Sequence, residues 1–391
     1  MRLHVYSDPA SELHVNRVAG VESPQRFPAA LAGVEEEHQL VDPLSLALTP
    51  KIEEVLAARD AGEAGDASLP RDSVASELSA SCVETRSRPR EKVAELAGEL
   101  AELRGTVRDL VEGCGARLLA AGAHPFSEST EQRITSGERY RRMEEKVGWP
   151  ARMQAIYGLH VHVAVPDGEA AIRATNALAR HVPLFIALAA NSPFWSGEDS
   201  RLASVRAKVF GLVPRSGLPP AFRSWEDFEG YVGALVAAGS IPDYSWCWWD
   251  ARPHPRLGTV ELRAPDAQTE VSRVVSLAAL AQCLVARASA QADTDAYDPL
   301  FTEENKWRAA RHGLDATFHD FTTGENRSAR EAARDLVRDL LPVAQDLRCE
   351  AEIEGVTEIA ASETGAEKQR AAFRERGSLE GVAAYLVAKT A

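Results

Sequence analysis

The sequence predicts an α+β fold built on a mainly antiparallel sheet. Strand-like segments, in which apolar and polar residues alternate with a period of two, are scattered along the chain up to residue 264. Helical patterns are inserted between them and become almost continuous after Gln268. The regular strand–helix alternation of a parallel sheet is absent from the sequence, as are the phosphate loops G-x-x-x-x-G-K-[ST] and G-x-G-x-x-G.

The strands are predicted from their period of two and the helices from apolar stripes three or four residues apart. The predicted strands span 34–42, 74–87, 155–165, 245–252 and 257–264, the last two as a hairpin. The predicted helices span 51–59, 90–121, 169–190, 225–238, 268–290, 303–314, 327–346, 364–375 and 378–389.

The chain is predicted to form one domain. Residues 1–32 lack a clear period, so we expect an irregular N-terminal lead-in with one short strand near 3–6. Residues 33–391 contain no repeat and no clear linker, and their part from about 298 to 391 is expected to be helical.

The composition and charge favour a soluble globular protein and disfavour several other classes. Of the 391 residues 45% are hydrophobic and 26% are charged, which is typical of a soluble globular protein. The net charge of −14 disfavours a surface for duplex nucleic acid, although ATP with magnesium would fit an acidic protein. The N-terminus has no apolar signal sequence, the apolar runs are short for a membrane span, and the five cysteines form no C-x-x-C. These features predict a cytoplasmic protein with reduced thiols and no membrane partner.

Polar residues on three strands are the candidates for chemistry. Glu35 and Glu37 share one face of their strand, and His160 and His162 share one face of another. On the strand 257–264, Val260 and Leu262 point one way, while Glu261 and Arg263 point the other. Each pair also fits a plainer role as a solvated strand start, a core histidine or a salt bridge.

Glu77 and Glu84 are candidates for the same cluster. They lie seven residues apart within 74–87 and would face opposite sides of a straight strand, so a bulge or a bend must intervene if they share a site.

Together these side chains predict a site for metal and phosphate. Five close carboxylates (Glu35, Glu37, Glu77, Glu84 and Glu261) could not all remain ionised without cations, and two or three Mg²⁺ ions would neutralise them and bridge the phosphates of ATP. His160 could add a nitrogen ligand. The guanidinium of Arg263 could bind a transferring phosphoryl group through two hydrogen bonds and stabilise its developing charge.

Six motifs in order along the chain resemble the bacterial carboxylate-amine ligases, also called the type 2 glutamate–cysteine ligase family. They are Gly33-Val34-Glu35-Glu36-Glu37, Gly158-Leu159-His160-Val161-His162-Val163, Asn191-Ser192-Pro193-Phe194-Trp195, Trp248-Trp249-Asp250-Ala251-Arg252-Pro253-His254, Gly258-Thr259-Val260-Glu261-Leu262-Arg263 and the segment 304–314. The resemblance implies the fold of glutamine synthetase and the guanidino kinases, a curved, mainly antiparallel sheet with helices on its convex side. It also implies that ATP phosphorylates a carboxylate, classically the side chain of glutamate, which an amine then converts to an amide.

The resemblance also implies roles for individual residues. Glu35, Glu37, Glu77, Glu84, His160 and Glu261 would be metal ligands, and Glu261 and Arg263 would be catalytic. Arg263, Asn305 and Arg308 would bind the nucleotide. Arg206, Trp249, Arg252 and His162 would line the substrate pocket. A homodimer is a further expectation at the level of the family.

Two other functions remain open from the sequence. A phosphotransferase on the same fold, such as a guanidino kinase, would use the same nucleotide site without an amine. A non-catalytic nucleotide-binding homologue would retain the ligands without turnover. The amine, cysteine or another amino compound, is not identified by any residue pattern.

Overall fold

The structure is a computed structural model that describes residues 30–62, 70–291 and 297–390. The short strand expected near 3–6, and the lead-in apart from residues 30–32, lie outside the described residues. The described strands are β1 Ala32–Val41, β2 Val74–Ser76, β3 Cys82–Arg86, β4 Arg117–Leu119, β5 Leu159–Ala164, β6 Phe194–Trp195, β7 Glu198–Asp199, β8 Ser216–Gly217, β9 Trp248–Trp249, β10 Ala251–His254, β11 Thr259–Leu262, β12 Thr317–His319 and β13 Asn326–Ser328.

Helices account for much of the rest of the described chain. They are α1 Ile52–Asp60, α2 Ala94–Gly113, α3 Glu138–Val147, α4 Trp149–Arg152, α5 Gly168–Ala189, α6 Arg206–Val209, α7 Trp225–Ala237, α8 Val271–Ala290, α9 Pro299–His312, α10 Ala329–Leu347, α11 Glu350–Ala361, α12 Gly365–Arg376 and α13 Leu379–Lys389.

In the described part of the chain the main sheet has seven strands. Its order is β10-β11-β5-β1-β3-β2, and β4 also pairs with β1. Every pairing within it is antiparallel. Helices α5 and α8 pack against one face, where Val34, Val161 and Val260 enter the main core. The predicted fold class, α+β with a curved, mainly antiparallel sheet and helices on its convex side, is confirmed.

Helix α8 lies at the centre of this helical layer. By length and composition alone it could cross a membrane, but 78% of its apolar window is buried inside the structure. It packs against α5, α10 and α11 as well as the sheet, so its apolar surface is explained by the core.

The segment 74–87 differs from its prediction. It is not one bent strand but a hairpin, in which β2 pairs antiparallel with β3 and Ala75 lies opposite Glu84. Glu77 follows the end of β2, whereas Glu84 lies inside β3. The hairpin therefore brings the two acids to one end of the sheet without a bulge.

The predicted helix 90–121 was too long. Helix α2 ends at Gly113, and Gly115 adopts a left-handed conformation with φ of 72° that reverses the chain. The residues that follow join the sheet as β4. The apolar pattern continues through this turn because both elements contribute to the same core cluster.

The helical C-terminal part also differs in two details. Strands β12 and β13 form a small hairpin between α9 and α10. Helix α11 was not predicted, because Gly355 interrupts its helical pattern. In the structure a side chain at position 355 would overlap Ser276 of α8. The glycine therefore permits the close approach of the two helices.

Candidate active site

Four neighbouring strands, β11, β5, β1 and β3, bring the predicted polar residues together on the face opposite the helices. The register places Glu35 of β1 directly opposite His160 of β5, and Glu261 of β11 opposite His162. Glu37 lies opposite Glu84 of β3. Cross-strand neighbours have Cβ atoms about 5 Å apart, so sheet pairing alone concentrates these groups.

The clustered residues line a cavity of about 660 Å³. Ten of the residues predicted from the sequence contribute to its wall: Glu35, Glu37, Glu77, Glu84, His160, His162, Arg206, Arg252, Glu261 and Arg263. The cavity therefore joins acids, imidazoles and guanidinium groups that are up to 228 positions apart in the sequence, the separation between Glu35 and Arg263.

Two groups of side chains could each hold a metal ion. One consists of Glu35, His160 and Glu261, and the other of Glu37, Glu84 and His160; within each, the potential ligand atoms lie within 4.8 Å of one another. His160 Nδ1 is 3.4 Å from Glu35 and its Nε2 is 3.9 Å from Glu37. The Nε2 atom is buried and has no hydrogen-bond partner among the described residues, so this donor set fits divalent cations.

In the second group, Glu37 and Glu84 have raised pKa values because burial and neighbouring carboxylates disfavour their ionised forms. Burial and the neighbouring charge of Glu77 raise the pKa of Glu37 to about 7, against the opposing effect of Arg206. Burial, Glu35 and Glu77 raise the pKa of Glu84 well above its usual range although Arg86 lowers it. A bound cation would favour the ionised form of both acids.

Glu261 and Glu35 are held ionised by neighbouring cations. Burial would raise the pKa of Glu261, but Arg252, Arg263 and the histidines outweigh it and keep that pKa well below its usual range. The pKa of Glu35 is also well below its usual range. Burial raises it, and the charge of His162 is the largest of the effects that lower it. His162 itself has a raised pKa, because Glu35 and Glu261 outweigh its burial.

The arginines have different roles. Arg252 Nε donates to Glu261 at 2.7 Å, and its Nη1 donates to the backbone carbonyl groups of Ser245 and Cys247. Arg252 therefore links β10 and β11 to the segment that precedes β9. Arg263 also donates to Glu261. The Nε atoms of Arg263 and Arg206 are buried and have no hydrogen-bond partner in the described part of the chain, which leaves donors available for an anionic ligand.

Three predicted site residues lie outside the cavity. Trp249 packs in a separate aromatic cluster with Phe222 and Tyr231. Asn305 exchanges two hydrogen bonds with the backbone of His319, and Arg308 pairs with Glu304 at 2.9 Å on the surface. The resemblance implies that Asn305 and Arg308 bind the nucleotide, but α9 packs on α5 and these two side chains lie outside the cavity.

The sequence interpretation missed other residues of the cavity wall. Arg86 lies on the same face of β3 as Glu84, bonds to it at 2.6 Å and lies 3.6 Å from Glu35. The period of two along β3 could have indicated it. Trp246 and Trp248 also face the cavity, together with Arg139 and Arg142 of α3. No spacing in the sequence predicts their convergence.

An antiparallel sheet with helices on one face and an acid- and histidine-lined cavity on the other is the architecture of the glutamine-synthetase-like fold. The model of glutamate-cysteine ligase family 2 matches residues 31–385, and the chain belongs to that family. A protein of Rubrobacter xylanophilus with the provisional name glutamate–cysteine ligase 2-3 is 63% identical over 364 residues, which cover 93% of this chain and 98% of the relative. A relative from Frankia alni, with the provisional name glutamate–cysteine ligase 2-1, is 42% identical over 352 residues (88% and 90%).

Two solved structures share the fold. Glutamate–cysteine ligase from Francisella tularensis, crystallised in complex with AMP, superposes with a TM-score of 0.68 at 15% identity, over 94% of this chain and 89% of that one. A bifunctional glutathione synthetase from Pasteurella multocida gives a TM-score of 0.62 at 14% identity, over 92% of this chain and 51% of that one. At these identities the likeness establishes the fold.

Proposed function

We propose that this protein is an ATP- and magnesium-dependent ligase that joins the side-chain carboxylate of glutamate to an amine. The amine is cysteine or another amino compound, and the products are an amide, ADP and phosphate. The observation that carries the proposal is the placement of two candidate metal-binding groups around His160 beside Arg263, whose buried Nε–H has no partner among the residues that the structure describes. Family membership and the fold support the same reaction type.

The proposed metal ligands are Glu35, Glu37, Glu77, Glu84, His160 and Glu261. Two or three Mg²⁺ ions bound there would neutralise the carboxylates and offset the charge of the ATP phosphates. Glu77 lines the cavity outside both three-residue groups and raises the pKa of Glu37, so it adds negative charge to the same site. Asn305, Arg308 and Trp249 are not retained in the proposal, since none of them lines the cavity.

The chain's own cations would orient the reaction. Arg263 would bind the γ-phosphoryl group as a carboxylate oxygen of the acid attacks phosphorus and ADP leaves. The amine nitrogen would then attack the acyl carbon, and phosphate would leave. Arg206, whose side chain is fixed by the carbonyl groups of Ala264 and Arg263, would bind a carboxylate of the substrate. Glu261 would hold Arg252 and Arg263 in place, and His162 would border the substrate.

The proposed context is a cytoplasmic enzyme with small-molecule substrates. Residues 33–391 would act as one ligase domain, and a homodimer is the proposed assembly. The seven arginines that line the cavity lie among seven acids, so the proposal includes no duplex nucleic acid and no membrane partner.

The test is release of ADP and phosphate with Mg²⁺ and glutamate across a panel of amines, with products read by mass spectrometry. Glutamate-dependent ADP together with a new amide mass is expected and would identify the amine. Hydroxylamine should trap the acyl phosphate as a hydroxamate. A phosphorylated amine or guanidine product would instead support a phosphotransferase, and no ADP with any pair of substrates would contradict the proposed reaction.

Two variants compare the proposed catalytic role of Arg263 with the absence of such a role for Arg308, which lies outside the cavity. Arg263→Lys keeps the charge but loses the two-pronged geometry, so ADP formation should fall by about 10²-fold. Arg308→Lys, outside the cavity, should retain the wild-type rate.

A further inference from the structure

The side chain of Lys306 connects helix α9 to Asp250, which lies between β9 and β10. Its Nζ lies 2.7 Å from the carboxylate of Asp250, and the two side chains are only 5% and 4% exposed. Glu303 is a second acid 3.8 Å away, but its side chain is 47% exposed. Charges buried this deeply are stable only when they are paired, so Lys306 and Asp250 depend on each other.

Lys306 retains its charge in this setting. Burial lowers its pKa, but the charges of Asp250 and Glu303 outweigh burial, and the pKa is raised above its usual value. The ion pair is therefore a fixed link between α9 and the segment that joins β9 to β10.

Asp250 is bonded through its backbone on both sides. Its N–H donates to the carbonyl group of Gly217 at 2.8 Å, and its carbonyl group accepts from the N–H of Arg263 at 2.7 Å. The neighbouring register pairs Ala251 with Leu262 and Arg252 with Glu261. A displacement of Asp250 would consequently be transmitted directly to the backbone of Arg263.

We propose that Lys306 and Asp250 are a positioning pair that fixes Arg263 in the cavity. The inference rests on the proposed function for the role of Arg263. Neither member of the pair is among the described residues that line the cavity, so the pair would act on substrates through Arg263 rather than by direct contact. This assigns the motif at 304–314 a role through its buried lysine, in place of the surface residues Asn305 and Arg308.

The kinetic test compares Lys306→Met, which keeps the length of the side chain, with Glu303→Gln, which removes only the exposed acid. At a temperature where both variants are folded, Lys306→Met should lower kcat for ADP formation at least about tenfold, with KM for ATP and for the acid within about twofold. Glu303→Gln should match the wild type. A purely structural role would lower the melting temperature of Lys306→Met and leave kcat unchanged, which would overturn the proposal.

The double variant Lys306→Met/Asp250→Asn covers the case in which the single variant fails to fold. It leaves no unpaired buried charge, so it should fold. Because the positioning link is still lost, its kcat should be reduced as in the single variant. Recovery of the wild-type kcat would contradict the proposed role.

Hydrogen exchange tests the same link without any activity. Exchange of the Arg263 amide, followed by mass spectrometry on a peptide that covers β11 and extends through Arg263, should accelerate in Lys306→Met and in the double variant but not in Glu303→Gln. A peptide covering β5 serves as the internal control. Unchanged exchange at Arg263 would overturn the proposal, whereas absence of ADP formation in the wild type would overturn only the proposed function.

Discussion

Gly158 shows how a single residue shapes the cavity. A Cβ atom at this position would overlap the Nη2 atom of Arg206 and would lie 2.9 Å from its Cζ and 3.1 Å from His160 Nε2. The N–H of Gly158 also donates to Glu37. Gly158 precedes the two histidines of the His-x-His motif in the sequence. The structure explains why a glycine is needed there: the guanidinium of Arg206, on α6, occupies the space of a side chain.

We expect Gly158→Ala to displace Arg206 and weaken binding of the acid substrate. The expected result is an increase in KM for the acid of at least about tenfold, or about 1.4 kcal/mol of lost binding. Steady-state kinetics would measure it. Gly211→Ala is the matched control, because a side chain there meets no heavy atom within 4 Å. Equal KM values for the two variants would show that the space beside Arg206 is unimportant.

Strand β1 directs three consecutive glutamates to its two faces. Glu35 and Glu37 face the cavity, whereas Glu36 faces α2 and accepts hydrogen bonds from Arg104, which also donates to the carbonyl groups of Gln268 and Thr269. Burial raises the pKa of Glu36, but Arg104 and then His38 outweigh it and lower that pKa. Periodicity predicted two faces but not which one is inward, because that depends on an arginine 68 residues away.

We expect Arg104→Met to destabilise the fold by about 3–5 kcal/mol, since Glu36 would remain buried and unpaired. Urea denaturation would measure the loss. Arg108→Met, one turn along α2, removes an exposed pair with Asp109 and should change stability by less than about 0.5 kcal/mol. A similarly small loss in Arg104→Met would contradict a structural role for this ion pair.

At the scale of the molecule, the sequence predicts the sheet and most of the cavity wall for a definite reason. Strands β1, β5 and β11 each alternate apolar and polar residues, and antiparallel pairing then forces their polar faces together. The hairpin at 74–87 and the orientation of α9 depend on tertiary packing, so local pattern could not predict them. The division of the chain into a lead-in and one domain remains a prediction.

Stability should also depend on pH through the buried His124. Its Nδ1 accepts from the backbone N–H groups of Phe126 and Ser127, and its Nε2 donates to Leu46. Burial lowers the pKa of His124 to about 4, below the unfolded value of about 6.5. The unfolded chain therefore binds more protons between these values, and folding stability falls as the pH falls through this window.

The expected contribution of His124 is up to about 1.4 kcal/mol per pH unit within that window. In His124→Asn the amide oxygen can replace Nδ1 as the acceptor, but the side chain does not titrate. Urea denaturation at pH 7, 6 and 5 should give a shallower loss of stability for this variant than for the wild type. Parallel curves would contradict a neutral buried histidine.

The most direct test of the central claim is the magnesium dependence of ATP binding, measured by calorimetry for the wild type and for Glu35→Gln. Glu35 belongs to the first metal-binding group, and its replacement leaves the pairing of Glu261 with Arg252 and Arg263 in place. Glu304→Gln, outside the cavity, is the matched control. We predict that ATP binds the wild type and the control only with Mg²⁺, and that Glu35→Gln weakens this binding at least about tenfold. Equal, magnesium-independent ATP affinity in all three proteins would contradict the assignment of the acidic cavity as a metal and nucleotide site.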